Sequence, residues 1–195
     1  MTKLMVIIGP SAAGKSTVAR ALQAEGLIRI VPTWTDRPPR PGGHQLANHA
    51  DHVFVNSAEF NRADARGDFL ASATLPGLPY RYGLPRIHTN DAVSPAVIAR
   101  CAQVDALEGL AARYGLDLVV IGIVDRDRRI EARLQDRNLP AAEIEARLAA
   151  AATERAATAA RADHLVFNTG RLDQTVTAAR VALPPKDGKR VRSAA

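Results

Sequence analysis

The chain has 195 residues, enough for one domain with a real core and too few for two independent ones. Its hydrophobic fraction is 47%, but 37 residues are Ala, so Leu, Ile and Val must carry the core; their recurrence along the chain excludes general disorder. The formal charge is +6, of which residues 186–195 supply +3, and no apolar run approaches the ~18 residues of a membrane span. The first predicted element is an apolar strand at 4–8, too short for a signal peptide, running into a Gly-rich loop at 9–14. A helix at 15–25 follows, with Val18 and Leu22 on one face and Gly26 as its stop. A second strand at 27–31 ends at Pro32. From 33 to 88 the text turns to Pro, Gly and polar residues, predicting short strands, one of them at 52–55, and one helix near 57–66. Regular alternation returns with "AVIARCAQV", a helix near 107–114 and the apolar strand "DLVVIGIV" at 117–124. An Ala-rich helical stretch covers 128–162 with a break near Asn138 and Pro140, then a strand at 164–168 and a helix at 172–183. The tail from 184 to 195 is Pro-led and basic, and is expected to be mobile.

This alternation predicts an α/β fold, a parallel sheet with helices on both faces. The core is expected from 1–32, 89–125 and 163–183, with 33–88 and 126–162 as excursions from it. Arg supplies 22 of the 26 basic residues. That bias suits a nucleic-acid backbone or a pocket for small phosphorylated ligands, and base composition of the genome also produces it. The single cysteine, Cys101, has no partner for an internal disulfide and no evident His beside it. It reads as core filler, and a reducing cytoplasm is the expected compartment.

The segment "GPSAAGKST" matches the P-loop pattern. Gly9, Pro10, Ser11, Ala12, Ala13 and Gly14 form the loop, and Lys15, Ser16 and Thr17 open the helix. Glycines let backbone N–H groups turn inward around a polyphosphate, and the helix aims its positive end at the same anion. Lys15 is then expected to reach the outer phosphates and Ser16 to ligate Mg²⁺. The bare pattern arises by chance in roughly one in a hundred chains of this length. Here it stands in its required context, between an apolar strand and a helix. It predicts ATP binding but leaves the reaction itself open. The next loop, "TDRPPRPGG", carries Arg37 and Arg40 on a Pro-stiffened backbone, which suits a second anionic group or a solvated surface loop.

Together these segments resemble guanylate kinases. "TDRPPRPG" is similar to the family's Thr-Thr-Arg-Pro-Pro-Arg-Pro-Gly loop, and "DHVFVNSAEF" to its Asp-Tyr-x-Phe-Val-Ser-x-x-Glu-Phe. "ARGDFLASA" followed by "YGLPR", then "RLQDRN" with "EIEARL", then "HLVFNTGRLDQ", keep the family's order over about residues 4–183. The resemblance implies a kinase with an ATP-binding core, an acceptor-binding insert at 33–88 and a helical lid at 126–162. It implies that Arg37, Arg40 and Tyr82 hold the acceptor phosphate, and that Arg133, Arg137 and Arg147 gather on the transferring group. By the same resemblance Asp105 lies near metal and acceptor, and Asn168 beside the adenine.

The departures fall in the acceptor pocket. Ala71 stands where the family reads guanine with a Glu, and Leu84 where a Ser or Thr does so. His52 replaces a phosphate-holding Tyr, Thr33 keeps a hydroxyl where the family has a Ser, and "GLPYRYG" is longer than the family's turn. The phosphate grip survives better than the base readers. The expected activity is therefore ATP-dependent phosphoryl transfer to a phosphorylated small molecule, GMP leading. Ribose bisphosphate kinase, with its "GLxYG" and "EIxARL" segments, is the runner-up. A non-catalytic guanylate-kinase-like scaffold is disfavoured by the intact Lys15–Ser16 pair. Nucleic-acid binding would rest on the tail alone, and no membrane partner is expected.

Overall fold

The computed structural model describes residues 3–39, 51–74, 80–87, 93–136, 140–168 and 170–183. Arg40, Arg137 and the basic tail lie outside these described residues. Five strands form the main sheet: β1 (Lys3–Ile8), β2 (Ile28–Ile30), β7 (Ser94–Ile98), β8 (Asp117–Val124) and β9 (His164–Phe167), in the order β2-β7-β1-β8-β9. Every pairing is parallel; Val6 lies opposite Val97 on one side and Val120 on the other.

The central strand is buried on both faces, which is why it reads as an unbroken apolar run rather than an alternation. Met5 and Ile7 pack with Val18 and Leu22 of α1 (Lys15–Ala24) and Val176 and Ala179 of α6 (Leu172–Val181). Leu4, Val6 and Ile8 face Val104 and Leu107 of α3 (Val104–Arg113). Helix α3 starts three residues earlier than its apolar pattern predicts. A 3₁₀ turn over Cys101–Gln103 leads into it, and the Arg100 N–H donates to the Gln103 side chain at 2.8 Å.

The chain from Thr33 to Pro85 builds a separate sheet of β3 (Thr33–Thr35), β4 (His52–Phe54), β5 (Phe69–Thr74) and β6 (Arg81–Pro85), in the order β4-β3-β6-β5. Helix α2 (Ser57–Ala65) covers it. Asn56 caps that helix reciprocally: its side chain accepts from the Glu59 N–H at 2.8 Å, and the Glu59 carboxylate accepts from the Asn56 N–H at 2.9 Å. Phe60, Ala63 and Phe69 form a small core of their own, with Trp34 and Val55 packed against it.

Asp36 pins this unit together. It accepts from the Arg81 backbone at 2.7 Å and its guanidinium at 2.8 Å, while Arg81 also lies 4.5 Å over the Phe60 ring. Burial pushes the Asp36 carboxyl up, but the hydrogen bonds and charge of Arg81 outweigh it and leave the group below its ordinary value.

The Ala-rich stretch forms two helices, α4 (Asp127–Gln135) and α5 (Ala141–Arg161), separated where Pro140 begins the second. Ile130 and Leu134 of α4 bury against Ala12 of the Gly-rich loop, with Ile144 and Leu148 of α5 alongside. Among the described residues no helix is long and apolar enough to cross a membrane.

Candidate active site

The turn from β1 into α1 has a backbone that most side chains would forbid. Gly9 sits at φ +149°, and a Cβ there would lie 2.1 Å from the Ile123 carbonyl oxygen of the neighbouring strand. Gly14 caps α1 at φ +101°, where a Cβ would meet Asn168 Nδ2 at 2.6 Å. Ala12, at φ +62°, is the one non-glycine in the left-handed region among the described residues. The start of α1 has no side-chain cap and no acidic residue in its first turn. Its N–H groups and positive dipole end are therefore not neutralised by its own residues, as an anion site requires. Lys15 arches back over the loop, Nζ donating to the Gly9 and Pro10 carbonyls at 2.8 Å each. Ser11, Ala13, Ser16 and Thr17 complete the turn, with Pro10 and Ala13 buried and Thr17 exposed.

Three other elements converge on this loop. From α4, Arg133 donates to the Ala12 carbonyl at 2.8 Å. From α5, Arg147 donates to Ser11 Oγ at 2.7 Å and is held by Glu143 at 3.0 Å through its Nε. After β9, Asn168 Nδ2 donates to the Ala13 carbonyl at 3.0 Å. The structure thus brings Lys15, Arg133, Arg147 and Asn168 onto one loop.

Two carboxylates and two arginines at this site escaped the sequence reading. Asp125, at the C-terminal end of β8, has a fully buried side chain paired with Arg133 at 2.8 Å and Arg129 at 3.6 Å. Arg129 also donates to the Asn168 carbonyl at 3.0 Å, which ties α4 to the β9 end of the site. Glu154 of α5 accepts from the Ser11 N–H at 3.1 Å and from Arg100, just past β7, at 3.2 Å. The positions of Asp125 and Arg100 directly beyond apolar strands were a usable signal, since ligands in open α/β sheets bind at those strand ends. Glu154, in mid-helix among alanines, gave none.

A cleft of about 330 Å³ opens beside the loop, lined by Gly9, Arg100, Cys101, Glu154, Thr158 and Arg161 among others. Asp105 lies at the start of α3, exposed, in an ion pair with Arg161.

The remaining predicted residues gather on the smaller sheet. Thr33 is buried, its Oγ1 2.7 Å from His52 Nδ1. The His52 ring stands edge-on to Phe54 at 5.9 Å and to Tyr82 at 5.8 Å. Arg37 lies 5.2 Å over the Phe54 ring, and its buried Nε has no hydrogen-bond partner among the described residues. Ala71 and Leu84 are direct partners across β5 and β6. Ala71 is exposed, whereas Leu84 is 6% exposed and packs with Val31, Val97 and Val104 in the core under the main sheet. Nearby polar groups are already engaged: Ser72 donates to Asp64 at 2.9 Å, and Asp68 is paired with Arg66 at 2.6 Å.

No family model matches the chain. Curated relatives do. The guanylate kinase of Nitrosomonas europaea is 32% identical over 158 residues, 79% of this chain and 76% of that one. That of Gloeobacter violaceus is 31% identical over 175 residues, 86% of this chain and 80% of that one. A shorter match, 40% identical over 89 residues, links the chain to the guanylate kinase of Symbiobacterium thermophilum; it spans 45% of this chain and 40% of that relative's length. The crystal structure of guanylate kinase from Anaplasma phagocytophilum superposes with a TM-score of 0.62 at 22% identity, covering 93% of this chain and 82% of that one, which shows the shared fold. Two relatives above 30% identity, matched over 76% and 80% of their own length, establish the kinship: this chain belongs to the guanylate kinase family.

Proposed function

We propose that the protein transfers the γ-phosphoryl group of ATP to a phosphate oxygen of a small phosphorylated acceptor, with GMP the leading candidate. The observation that carries this reading is the glycine-shaped loop with Lys15 arched over it and an α1 start free of acidic residues, overlaid by Arg133 and Arg147. A separate sheet presents Thr33, His52, Tyr82 and the unpaired Nε of Arg37 for a second anion. A buried donor without a partner is costly unless a ligand supplies one. The names of the relatives support GMP as acceptor.

The residues present fit ATP and Mg²⁺. The loop N–H groups would hold the phosphates and Ser16 the metal. Among the described residues no cluster of three acidic, His or Cys side chains could cage a metal. That suits an ion held largely by phosphate oxygens and water. When bound, Mg²⁺ supplies charge neutralisation between the outer phosphates.

The chain's own residues do the rest by positioning. Lys15 neutralises the outer phosphates. Buried Asp125 fixes the guanidinium of Arg133 against the loop, so that this charge is oriented before reaction. A phosphate acceptor is mostly dianionic at neutral pH, because its second pKa lies near ~6, so no general base is required. Helices α4 and α5, carrying Arg133 and Arg147, act as the lid that excludes water and limits hydrolysis. Arg40 and Arg137 are assigned acceptor and lid roles by resemblance, and Asp105 a place near the metal and the acceptor. Residues 33–88 are the acceptor-binding unit. A coupled ADP-release assay with MgATP across GMP, dGMP, AMP and ribose bisphosphate tests the reading. ADP release that depends on one of these acceptors supports it; release independent of every acceptor contradicts it.

A further inference from the structure

We infer that Glu154 is an internal anion occupying the place of an outer phosphate, and that Arg100 is a phosphate contact which Glu154 masks. The inference rests on the loop binding ATP. One carboxylate oxygen of Glu154 accepts from the Ser11 N–H at 3.1 Å; the other accepts from Arg100 at 3.2 Å. A carboxylate and one face of a phosphoryl group both present paired oxygens to N–H donors, and both are favoured by the same fixed charges. The two donors here are a backbone amide of the phosphate loop and a guanidinium at the end of β7, the strand beside β1. Arg100 and Glu154 both line the cleft that opens beside Gly9.

The surrounding charges agree with a displaceable group rather than a fixed structural pair. The Glu154 side chain is 27% exposed and that of Arg100 51%. Neither is locked as Asp125 is, with its side chain at 0%. Arg147 on the same helix binds Ser11 Oγ at 2.7 Å, so α5 keeps a grip on the loop that does not require Glu154. Arg161, two turns on along the same face of α5, also lines the cleft but is already taken by Asp105, which leaves Arg100 as the cleft arginine whose partner departs when nucleotide enters. The phosphate must therefore compete with Glu154, and once it wins it inherits both donors.

The test is calorimetric titration of MgATP into the full chain and its variants. Glu154→Gln keeps the shape and removes the charge, and is expected to bind MgATP about tenfold more tightly, the scale of one charge-assisted hydrogen bond. In the Glu154→Gln background, Arg100→Ala is expected to weaken MgATP about tenfold, because Arg100 then serves only the phosphate. Should Glu154→Gln fail to fold, Glu154→Ala takes its place with the same expectation. Affinity equal to or weaker than wild type in the Glu154 variant overturns the internal-anion assignment, as it would if the carboxylate helped close the lid on bound nucleotide. No effect of Arg100→Ala in that background overturns the masked contact. A wild-type chain that binds no MgATP removes the phosphate-loop reading and this inference together, which separates that failure from the other two.

Discussion

Lys15 carries the most weight of any single residue in the proposed reaction. Its Nζ is held by the Gly9 and Pro10 carbonyls at 2.8 Å, so the charge is poised over the loop and not buried in the core. Lys15→Ala should leave the fold intact by circular dichroism and thermal unfolding while lowering phosphoryl transfer at least a hundredfold, in line with the loss of a charge that develops its full effect in the transition state. Arg37→Ala should act differently. It removes a guanidinium on the smaller sheet, so the KM for the acceptor should rise about tenfold to a hundredfold with MgATP affinity unchanged. Two of the departures from the family's pattern, Ala71 and Leu84, are paired across β5 and β6 but differ in burial. Ala71→Glu places a carboxylate at an exposed position and should raise the preference for GMP over AMP without loss of stability, measured as a ratio of kcat/KM values. Leu84→Thr removes a packed isobutyl group and buries a hydroxyl, and should cost about 2–4 kcal/mol in denaturant unfolding. By resemblance Leu84 stands at a base-reading position; in this chain its side chain is part of the core.

At the scale of the element, the sequence revealed most where the period was regular. Strand β8 has the bounds its apolar run predicts, and the gap between α4 and α5 falls at the proline that breaks the pattern. What was hidden depended on partners distant in the chain. Strand β3 is three residues long and pairs parallel with β4 and antiparallel with β6, a mixed arrangement no local pattern encodes. The pin between Asp36 and Arg81 spans 45 residues, and neither residue stands out in its own segment. That pin makes a prediction about pH. Its carboxyl lies below the ordinary value, so the bond stabilises the folded chain fully above the free carboxylate range near pH ~4. The contribution is lost as pH falls through the lower folded value. Asp36→Asn should therefore lower stability by about 1–2 kcal/mol at neutral pH, and the gap from wild type should narrow as pH falls below the free carboxylate range in urea unfolding series.

Across the whole molecule, the phosphate loop was legible because its glycines, lysine and flanking elements are contiguous. The groups that orient it were not. Arg100, the Asp125–Arg129 pair and Glu154 come from separate parts of the chain; Glu154 bonds the loop itself, while Asp125 reaches it through Arg133 and Arg129 through Asn168. Charge follows the same division: the +3 of residues 186–195 lies outside the described residues, while the arginines that matter line the loop and the smaller sheet. In the proposed function the fold sets two anion-binding regions on separate sheets, with α4 and α5 packed against the loop of one of them. In the proposed reaction a phosphoryl group passes between those regions. Phosphorus NMR of the wild-type chain with MgATP and GMP follows that group directly. ATP resonances should decline as those of ADP and a second nucleoside diphosphate grow in equal amounts, with little inorganic phosphate. Growth of ADP and inorganic phosphate alone, for GMP and for every other phosphorylated acceptor supplied, would contradict that transfer.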